Sequence, residues 1–223
     1  MFYAIIPARS GSKSIKDKNI QILNGEPLIA HSISVAKSIP EIKRVIVSTD
    51  SQLYAGIAKG YGAEILSLRP KEISGDSSWD IDWILDLLSQ LDDIPKYLIH
   101  LRPTSPLRDL KYIVKAMQYI QLHNDATALI SVHPLSIPSH KFFELDGKYI
   151  KSAKTGVFDL DLCNGPRQGY VDTYVPNGYV DILKTEYILA NHKIHGDKVL
   201  AFKTPKITDI DTMEDLELVR HEK

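Results

Sequence analysis

The chain has 223 residues, 43% of them hydrophobic and 25% charged, which is an ordinary composition for a globular protein of one large domain. Its formal net charge of −1 excludes a general attraction to nucleic acid or to an anionic membrane, so any anion site must be local. A single cysteine excludes an internal disulfide framework, and no apolar run approaches the roughly 20 residues of a membrane helix, so we expect a cytoplasmic protein.

Strand-like and helix-like patterns alternate along the first 132 residues. The predicted strands cover residues 2–6, 44–48, 64–68, 96–101 and 126–132. The predicted helices cover residues 27–38, 52–59, 109–122 and a segment from Ser77 or Ser78 to Leu91; a strand over 179–183, a helix over 184–191, a strand over 199–202 and a helix from Thr212 follow later. This alternation predicts a doubly wound, mostly parallel sheet with helices on both faces, which binds ligands beyond the carboxyl ends of its strands.

Residues 134–176 interrupt the alternation with four prolines, four glycines and short strand-like pieces at 142–145 and 149–151. We interpret this segment as an arm inserted into a single domain over residues 1–223, acting as a lid, a β-arm or a dimer element. An irregular surface loop is the alternative, although loops of this length usually have a function.

The loop after the first predicted strand reads PARSGSKSIKDKN over residues 7–19 and has the composition of a phosphate site. It is not a Walker A loop, because that motif needs glycines at the positions of Pro7 and Ser12. It is not a dinucleotide fingerprint either, because Gly11 is the only glycine among residues 1–24. A solvated basic loop remains the alternative, but the position directly after a buried strand favours a binding site.

Several polar residues of this loop could bind a triphosphate. The Arg9 guanidinium can donate to two phosphate oxygens at once, and Lys13 and Lys18 can supply point charges. Backbone N–H groups around Ser12 can form an anion-binding nest, and the Asn19 amide can hold a phosphate or a sugar hydroxyl. We therefore predict that the loop binds an anion.

Two carboxylates near the other end of the chain, Asp209 and Asp211, are spaced at i and i+2. In extended backbone both side chains point to the same side, where they can share one divalent cation, and their hard oxygen ligands suit magnesium. The alternative is a purely structural function, because Thr212 and Asp215 can form a capping box for the last helix.

Three polar turns supply further candidates. Arg102, Thr104 and Ser105 follow the strand predicted at 96–101, where they form either a binding site or a rigid turn before the next helix. Arg167 can bind a carboxylate bidentately, and Asn177 lies in a Pro-Asn-Gly turn signal, but either segment can equally be scaffolding. Trp79 and Trp83 are four residues apart, which predicts one shared face in the core.

Taken in order, the segments IPARSGSKSIKDKN, LRPKE, LRPTSPLR, PRQ…PNG and DIDT resemble the acylneuraminate cytidylyltransferase family, from residue 5 to about residue 216. The resemblance implies that CTP and a nine-carbon 2-keto sugar acid give a CMP-sugar and pyrophosphate. It also implies a three-layer, mostly parallel, Rossmann-like α/β nucleotidyltransferase fold, a β-rich dimerisation arm and a homodimer. The implied cofactor is Mg²⁺, for which Mn²⁺ can substitute, and neither nucleic acid nor a membrane is an expected partner.

The resemblance also assigns functions by position, with Arg9, Lys18 and Asp211 as the catalytic residues. The implied nucleotide-binding residues are Ala8, Arg9, Ser12, Lys13, Lys18, Asn19, Arg69 and Ser77. The implied substrate-binding residues are Lys141 and the residues of the polar turns, namely Arg102, Thr104, Ser105, Arg167 and Asn177. Asp209 and Asp211 match the metal pair.

One departure from the family concerns the sugar acid. Arg102 stands where sialic acid synthetases commonly have glutamine, which admits a legionaminic, pseudaminic or other modified nonulosonic acid rather than N-acetylneuraminate. The alternatives are a nucleotidyltransferase for another sugar acid or another nucleotide, a glycosyltransferase-like protein that uses its D-x-D pair, and a non-catalytic nucleotide-binding paralogue. The intact Arg9, Asp209 and Asp211 argue against the last of these.

Overall fold

A computed structural model of the chain describes residues 1–221, without the side chains of Leu162 and Arg167. The strands are β1 Phe2–Pro7, β2 Ile22–Leu23, β3 Glu26–Pro27, β4 Ile42–Ser48, β5 Tyr97–His100, β6 Ala128–Pro134, β7 Phe143–Asp146, β8 Tyr149–Ser152, β9 Tyr174–Lys184 and β10 Val199–Lys203. The α-helices are α1 Leu28–Lys37, α2 Gln52–Gly60, α3 Asp80–Ser89, α4 Leu110–Gln121, α5 Thr185–Asn191 and α6 Met213–His221.

Six strands form the central sheet in the order β10-β6-β9-β5-β1-β4. The β10–β6, β5–β1 and β1–β4 pairs are parallel, whereas β9 runs antiparallel to both β5 and β6. The predicted α/β fold with a mostly parallel sheet is therefore confirmed. β1 is central and almost fully buried, as its continuous run of apolar residues predicts.

The strand predicted over residues 64–68 is wrong, because only Glu64 pairs with β4, through a single bridge to Ile46. The backbone rejoins β4 at Arg69, whose N–H donates to the Thr49 carbonyl at 2.8 Å. The residues between these two points bulge away from the ladder at the sheet edge. Their apolar character reflects packing of Leu66 against α3 rather than strand pairing.

The start of α3 also differs from the prediction, because the helix begins at Asp80 and neither Ser77 nor Ser78 caps it. The Asp82 carboxylate instead accepts a hydrogen bond from the Trp79 N–H at 3.0 Å. Trp79 therefore precedes the helix and is 76% exposed, whereas Trp83 is 2% exposed. The prediction that both tryptophans share a core face is wrong for Trp79.

Helices cover both faces of the sheet and make the three layers. One face packs mainly against α1, α2 and α4, represented by Ile33 and Ile113, and the other packs against α3 and α5, represented by Leu87 and Ile188. None of the helices in residues 1–221 is long and apolar enough to cross a membrane.

The Pro-Asn-Gly segment lies inside β9 and is not a turn. The register between β6 and β9 shifts between Ile130 and Val132, so that β9 bulges near Gly178. Gly178 has a φ of +65°, and an added Cβ would stand 3.0 Å from the Ser105 hydroxyl. Only glycine suits this position, because the left-handed backbone and the close approach of Ser105 both disfavour a side chain.

The arm leaves the sheet after β6 and returns at β9, where the Leu135 N–H donates to the Thr173 carbonyl at 2.8 Å. It contains the antiparallel hairpin of β7 and β8, which confirms the strand-like pieces predicted at 142–145 and 149–151. Several of its apolar side chains are exposed, namely Ile137, Phe142, Phe143, Leu145, Tyr149, Ile150, Val157, Phe158 and Val171.

Candidate active site

The loop over residues 7–19 is held by Asp50, which follows β4, and by a hydrogen bond that joins its own two ends. The Ser10 N–H and hydroxyl both donate to the Asp50 carboxylate, each at 2.7 Å, and the Asn19 amide donates to the Arg9 carbonyl at 3.0 Å. Burial alone would raise the pKa of Asp50, but the Ser10 hydrogen bonds lower the pKa below its usual range. Asp50 therefore stays ionised and fixes the loop.

The loop cations converge on one carboxylate, that of Asp76. The Asp76 oxygens lie 2.7 Å from the Arg9 guanidinium and 2.6 Å from the Lys13 ammonium. The Lys13 and Arg9 charges lower the pKa of Asp76. Asp76 is thus an anion held by the same cations that the sequence predicts for a phosphate.

A first cavity of about 360 Å³ opens between this loop and the turn after β5. Its walls are formed by Pro7, Arg9, Ser12, Lys13, Ser14, Lys18, Asn19, Asp76, Arg102, Pro103 and Thr104. Most of the residues predicted for the nucleotide loop therefore meet at the carboxyl ends of β1 and β5, the edge where such sheets bind ligands.

The two ends of the chain meet beside this cavity. Ile15 of the loop and Ile210 share a small buried cluster with residues of α6. This packing brings the Lys18 ammonium to 2.9 Å from the Asp211 carboxylate. A hydrophobic contact therefore positions the predicted phosphate loop against the predicted metal pair.

The turn over residues 102–108 supports the same pair from the other side. The Ile210 N–H donates to the Thr104 carbonyl at 2.8 Å, and the Ser105 hydroxyl donates to the Asp209 carboxylate at 3.3 Å. Ser105 is fully buried, so its hydroxyl positions Asp209.

Capping of α6 is carried by Thr212 and Asp215 and not by Asp211. The Asp215 carboxylate accepts from the Thr212 N–H at 2.8 Å, and the Asp215 N–H donates to the Thr212 hydroxyl at 3.2 Å, which is the predicted capping box. The Asp211 carboxylate contacts Lys18 instead.

The Asp209 and Asp211 oxygens suit a magnesium ion that is shared with phosphate. Within the described residues no group of three or more His, Cys, Asp and Glu side chains could hold a metal. Two carboxylates are enough for Mg²⁺, which commonly takes its other ligands from water and from phosphates. The donor types therefore fit magnesium, and the metal pair stays a prediction.

A second cavity of about 390 Å³ lies beside the first, near the β6–β9 pair. Its walls are formed by Arg102, Ile130, His133, Val175, Pro176, Asn177, Gly178, Asp181, His195, Ile207 and Asp209. Arg102 lines both cavities, so the two spaces adjoin at this side chain. The walls are mixed, with apolar side chains such as Ile130 and Ile207 beside polar ones such as His133 and Asp181, and a space of this size suits a small molecule.

Arg102 is ion-paired at the junction of the two cavities. Its guanidinium lies 2.7 Å from the Asp181 carboxylate and 3.6 Å from that of Asp80. Burial alone would lower the pKa of Arg102, but the Asp181 carboxylate outweighs burial and the pKa is raised. Arg102 is therefore a fixed cation, and its predicted contact with substrate stays a prediction.

Asn177 and Arg69 both hydrogen-bond to the scaffold, and their predicted contacts with substrate and nucleotide stay predictions. The Asn177 amide donates to the Thr204 hydroxyl at 2.8 Å and to the Pro205 carbonyl at 3.1 Å. Arg69 is buried over the Trp83 ring and donates to Ser48, and burial lowers the pKa of Arg69 to about 10.

Three other predicted residues, Ala8, Ser77 and Lys141, lie outside the walls of both cavities. Ala8 is fully buried, and its N–H donates to the Ser48 carbonyl at 2.9 Å. Ser77 is exposed beside Asp76, and Lys141 is exposed in the arm. The Arg167 side chain lies outside the described part of the structure. The functions predicted for these four residues stay predictions.

Arg108 is a site residue that the sequence reasoning missed. Its buried guanidinium donates to the carbonyls of Arg102, Gly178 and Tyr179 and to the Ser32 hydroxyl. Burial lowers the pKa of Arg108 to about 9. Arg108 ties the turn after β5 to the bulge of β9, so it positions two walls of the second cavity. Its place in the LRPTSPLR segment was the available signal.

Comparison with known proteins gives a consistent set of relatives. A sequence model of a family described as Cytidylyltransferase matches residues 3–150. N-acylneuraminate cytidylyltransferase of Escherichia coli O18:K1:H7 is 36% identical over 217 residues, which is 96% of this chain and 50% of that protein. CMP-N,N'-diacetyllegionaminic acid synthase of Legionella pneumophila is 31% identical over 94% of this chain and 90% of that protein. The chain thus spans about half the length of the Escherichia coli relative.

Solved structures share the fold at low sequence identity. CMP:2-keto-3-deoxy-manno-octonic acid synthetase, complexed with CTP, has a TM-score of 0.71 at 16% identity, over 98% of this chain and 96% of the other. 4-Diphosphocytidyl-2C-methyl-D-erythritol synthase from Anaerococcus prevotii has a TM-score of 0.64 at 15% identity, over 98% of this chain and 94% of the other. These likenesses concern the fold alone.

Proposed function

Because the chain belongs to the cytidylyltransferase family, we propose that it transfers the cytidylyl group of CTP to the anomeric hydroxyl of a nonulosonic acid and releases pyrophosphate. The observation that carries this proposal is the pair of adjoining cavities that share Arg102. One is lined by the loop cations, as a triphosphate requires. The other has the size and the mixed walls that suit a sugar acid.

In the proposed mechanism the triphosphate takes the place of Asp76 between Arg9 and Lys13. Both ion pairs with Asp76 are partly exposed, so exchanging one anion for another costs little. The triphosphate carries more charge and can bind both cations together with Lys18. The loop cations then neutralise the charge that develops on pyrophosphate as the bond to the α-phosphorus breaks.

Asp209 and Asp211 would hold Mg²⁺, or Mn²⁺ in its place. When bound, the metal supplies positive charge to the phosphate oxygens and fixes their orientation. Two neighbouring side chains orient these carboxylates: Ser105 donates a hydrogen bond to Asp209, and Lys18 donates one to Asp211. Lys18 lies at the end of the loop that contacts Asp211, where its ammonium can stabilise the negative charge that develops on the leaving pyrophosphate.

The acceptor would occupy the second cavity with its anomeric hydroxyl toward Arg102 and the first cavity. This places the attacking oxygen near the α-phosphorus and opposite the pyrophosphate, which an in-line displacement requires. Positioning of this kind accounts for much of the rate enhancement when two bound substrates react.

Pyrophosphate release tests this function. We expect release only when CTP, magnesium and a sugar acid are all present, with UTP and GTP far less effective than CTP. The acceptors to compare are N-acetylneuraminate, N,N'-diacetyllegionaminate and pseudaminate, and reactions without acceptor or with a chelator are the controls. Absence of pyrophosphate with every acid would contradict the proposed function.

We further propose that the protein is a homodimer whose arms make the interface. The support is the cluster of exposed apolar side chains on the β7–β8 hairpin and beyond, including Leu145 at 82% and Tyr149 at 61% exposure. Exposed apolar patches of this kind typically mark an interaction surface. A second copy of the arm is the partner that would bury them.

Light scattering tests the dimer. We expect a mass of about 50 kDa, twice the 25.1 kDa of one chain, and a shift to the monomer mass when Leu145 and Tyr149 are both replaced by lysine. Leu122→Lys is the matched control, because Leu122 is 79% exposed but lies outside the arm. A monomeric wild type, or a double variant that remains dimeric, would argue against this interface.

A further inference from the structure

Asp181 carries a buried carboxylate oxygen that has no donor among the described residues. The residue is only 5% exposed, and its Oδ2 accepts from the Arg102 guanidinium at 2.7 Å. Its Oδ1 has no hydrogen-bond partner in residues 1–221. Buried polar atoms are nearly always paired in native proteins, so an unpaired carboxylate oxygen beside a cavity points to a donor that arrives with a ligand.

The strand register places this carboxylate on the cavity side of β9. Asp181 lies directly opposite Ile130 of β6, and opposite residues in a ladder project from the same face of the sheet. Both residues line the second cavity. His133, further along β6, lines the same cavity and also has a buried ring nitrogen, Nδ1, without a partner in the described structure. The cavity thus has more than one unsatisfied polar group.

His100, the neighbour of Asp181 on β5, is not a charged donor to Asp181. His100 of β5 lies directly opposite Asp181 and packs against the Trp83 ring, with the ring centroids 5.5 Å apart. Burial lowers the pKa of His100 to about 3, so the imidazole is neutral at physiological pH. Its own Nε2 is unpaired as well.

Arg102 fixes the direction of the Asp181 carboxylate. The guanidinium is held between Asp181 and Asp80, and the Arg102 carbonyl accepts from Arg108 at 2.8 Å and from Ser32 at 3.3 Å. Because the side chain and the backbone of Arg102 are both restrained, Oδ2 stays paired and Oδ1 is the free acceptor. Because Arg102 already pairs with Oδ2, a neutral donor is enough to satisfy Oδ1.

We propose that Asp181 Oδ1 accepts a hydrogen bond from a neutral N–H or O–H group of the acceptor sugar acid, and that Asp181 is therefore a specificity-determining residue, with Arg102 as its positioning residue. The inference rests on the proposed function and specifies what its second cavity recognises. The sugar acid would thus be recognised by the Asp181 carboxylate, and Arg102 would orient that carboxylate.

The experiment takes the sugar acid that the pyrophosphate assay shows to be the best acceptor and compares it with a set of its analogues, each lacking one N–H or O–H donor through deoxygenation or N-methylation. In the wild type, one analogue is expected to lose about 10- to 100-fold in kcat/KM, as expected when a site built to bond a donor loses it. In Asp181→Ala this loss is expected to shrink to within about threefold, and in Asp181→Asn, which keeps an acceptor oxygen, to be intermediate.

Asp80→Asn is the matched control, because it removes the other carboxylate partner of Arg102, which does not line the second cavity. It should keep most of the discrimination of the wild type, because the shorter ion pair with Asp181 and the hydrogen bonds to the Arg102 carbonyl remain. CTP binding, measured by calorimetry, should be equal in all variants and shows that each is folded.

Two outcomes would overturn the inference. Either both Asp181 variants bind CTP normally and keep the discrimination of the wild type, or Asp80→Asn loses the discrimination as fully as the Asp181 variants do. A wild type that binds CTP but neither binds nor turns over any sugar acid would instead reject the proposed function, and this inference with it.

Discussion

Asp211→Asn is expected to reduce kcat by a factor on the order of 100 to 1,000 while leaving the fold unchanged. The metal contribution to such a transfer is worth several kcal/mol, and the amide removes the charge that holds the metal. The Asp211 side chain is 71% exposed and its ion pair with Lys18 is open to solvent, so the free energy of unfolding should change by less than about 1 kcal/mol. The measurement is kcat as a function of magnesium concentration, together with thermal unfolding.

Asp215→Ala is the control that separates metal binding from helix capping. Asp215 accepts from both N–H groups of residues 211 and 212 and from the Thr212 hydroxyl, so its removal should cost about 1 kcal/mol of stability. Its kcat should stay within a few-fold of the wild type. If Asp215→Ala lost as much activity as Asp211→Asn, or if Asp211→Asn remained fully active, the function of this segment would be capping alone.

Local sequence patterns predicted most of the sheet and the position of the phosphate loop. The apolar run before Pro7 and the polar loop after it predict a buried strand followed by a loop at the ligand-binding edge, and the structure shows the buried strand and a cavity lined by the loop. The same reasoning is wrong for residues 64–68, because apolar residues at a sheet edge can pack on a helix without pairing. It is also wrong for Trp79, because the helix begins one residue later than the spacing requires.

The partners of the site cations could not be predicted in the same way. Asp76 is 67 residues from Arg9 in the chain, and Asp181 is 79 residues from Arg102. Each pair forms only when separate elements reach the same edge of the sheet, so no local sequence spacing predicts it. The Asp209 and Asp211 pair was predicted from its i, i+2 spacing, but its approach to Lys18 depends on the contact between Ile15 and Ile210.

Arg108 could not be predicted for the same reason, because its partners lie on separate elements. Arg108→Met is expected to lower the free energy of unfolding by about 3–6 kcal/mol. Methionine keeps much of the volume but leaves the Tyr179, Gly178 and Arg102 carbonyls and the Ser32 hydroxyl without the guanidinium. Each buried acceptor left unsatisfied costs about 1–3 kcal/mol. Such a loss is a large part of the stability of a typical domain.

Urea unfolding measures this effect, with Arg44→Met as the matched control. Arg44 also makes several hydrogen bonds, but they go to the partly exposed Glu64 carboxylate, so the control should lose no more than about 1 kcal/mol. Arg108→Lys should fall between the two, because an ammonium keeps the charge but cannot reach all four acceptors in one plane. Equal stability of Arg108→Met and Arg44→Met would show that the turn after β5 and the bulge of β9 hold together without Arg108. A large loss confined to Arg108→Met would instead show that one buried guanidinium joins two walls of the second cavity, and that this cavity depends on Arg108 for its shape.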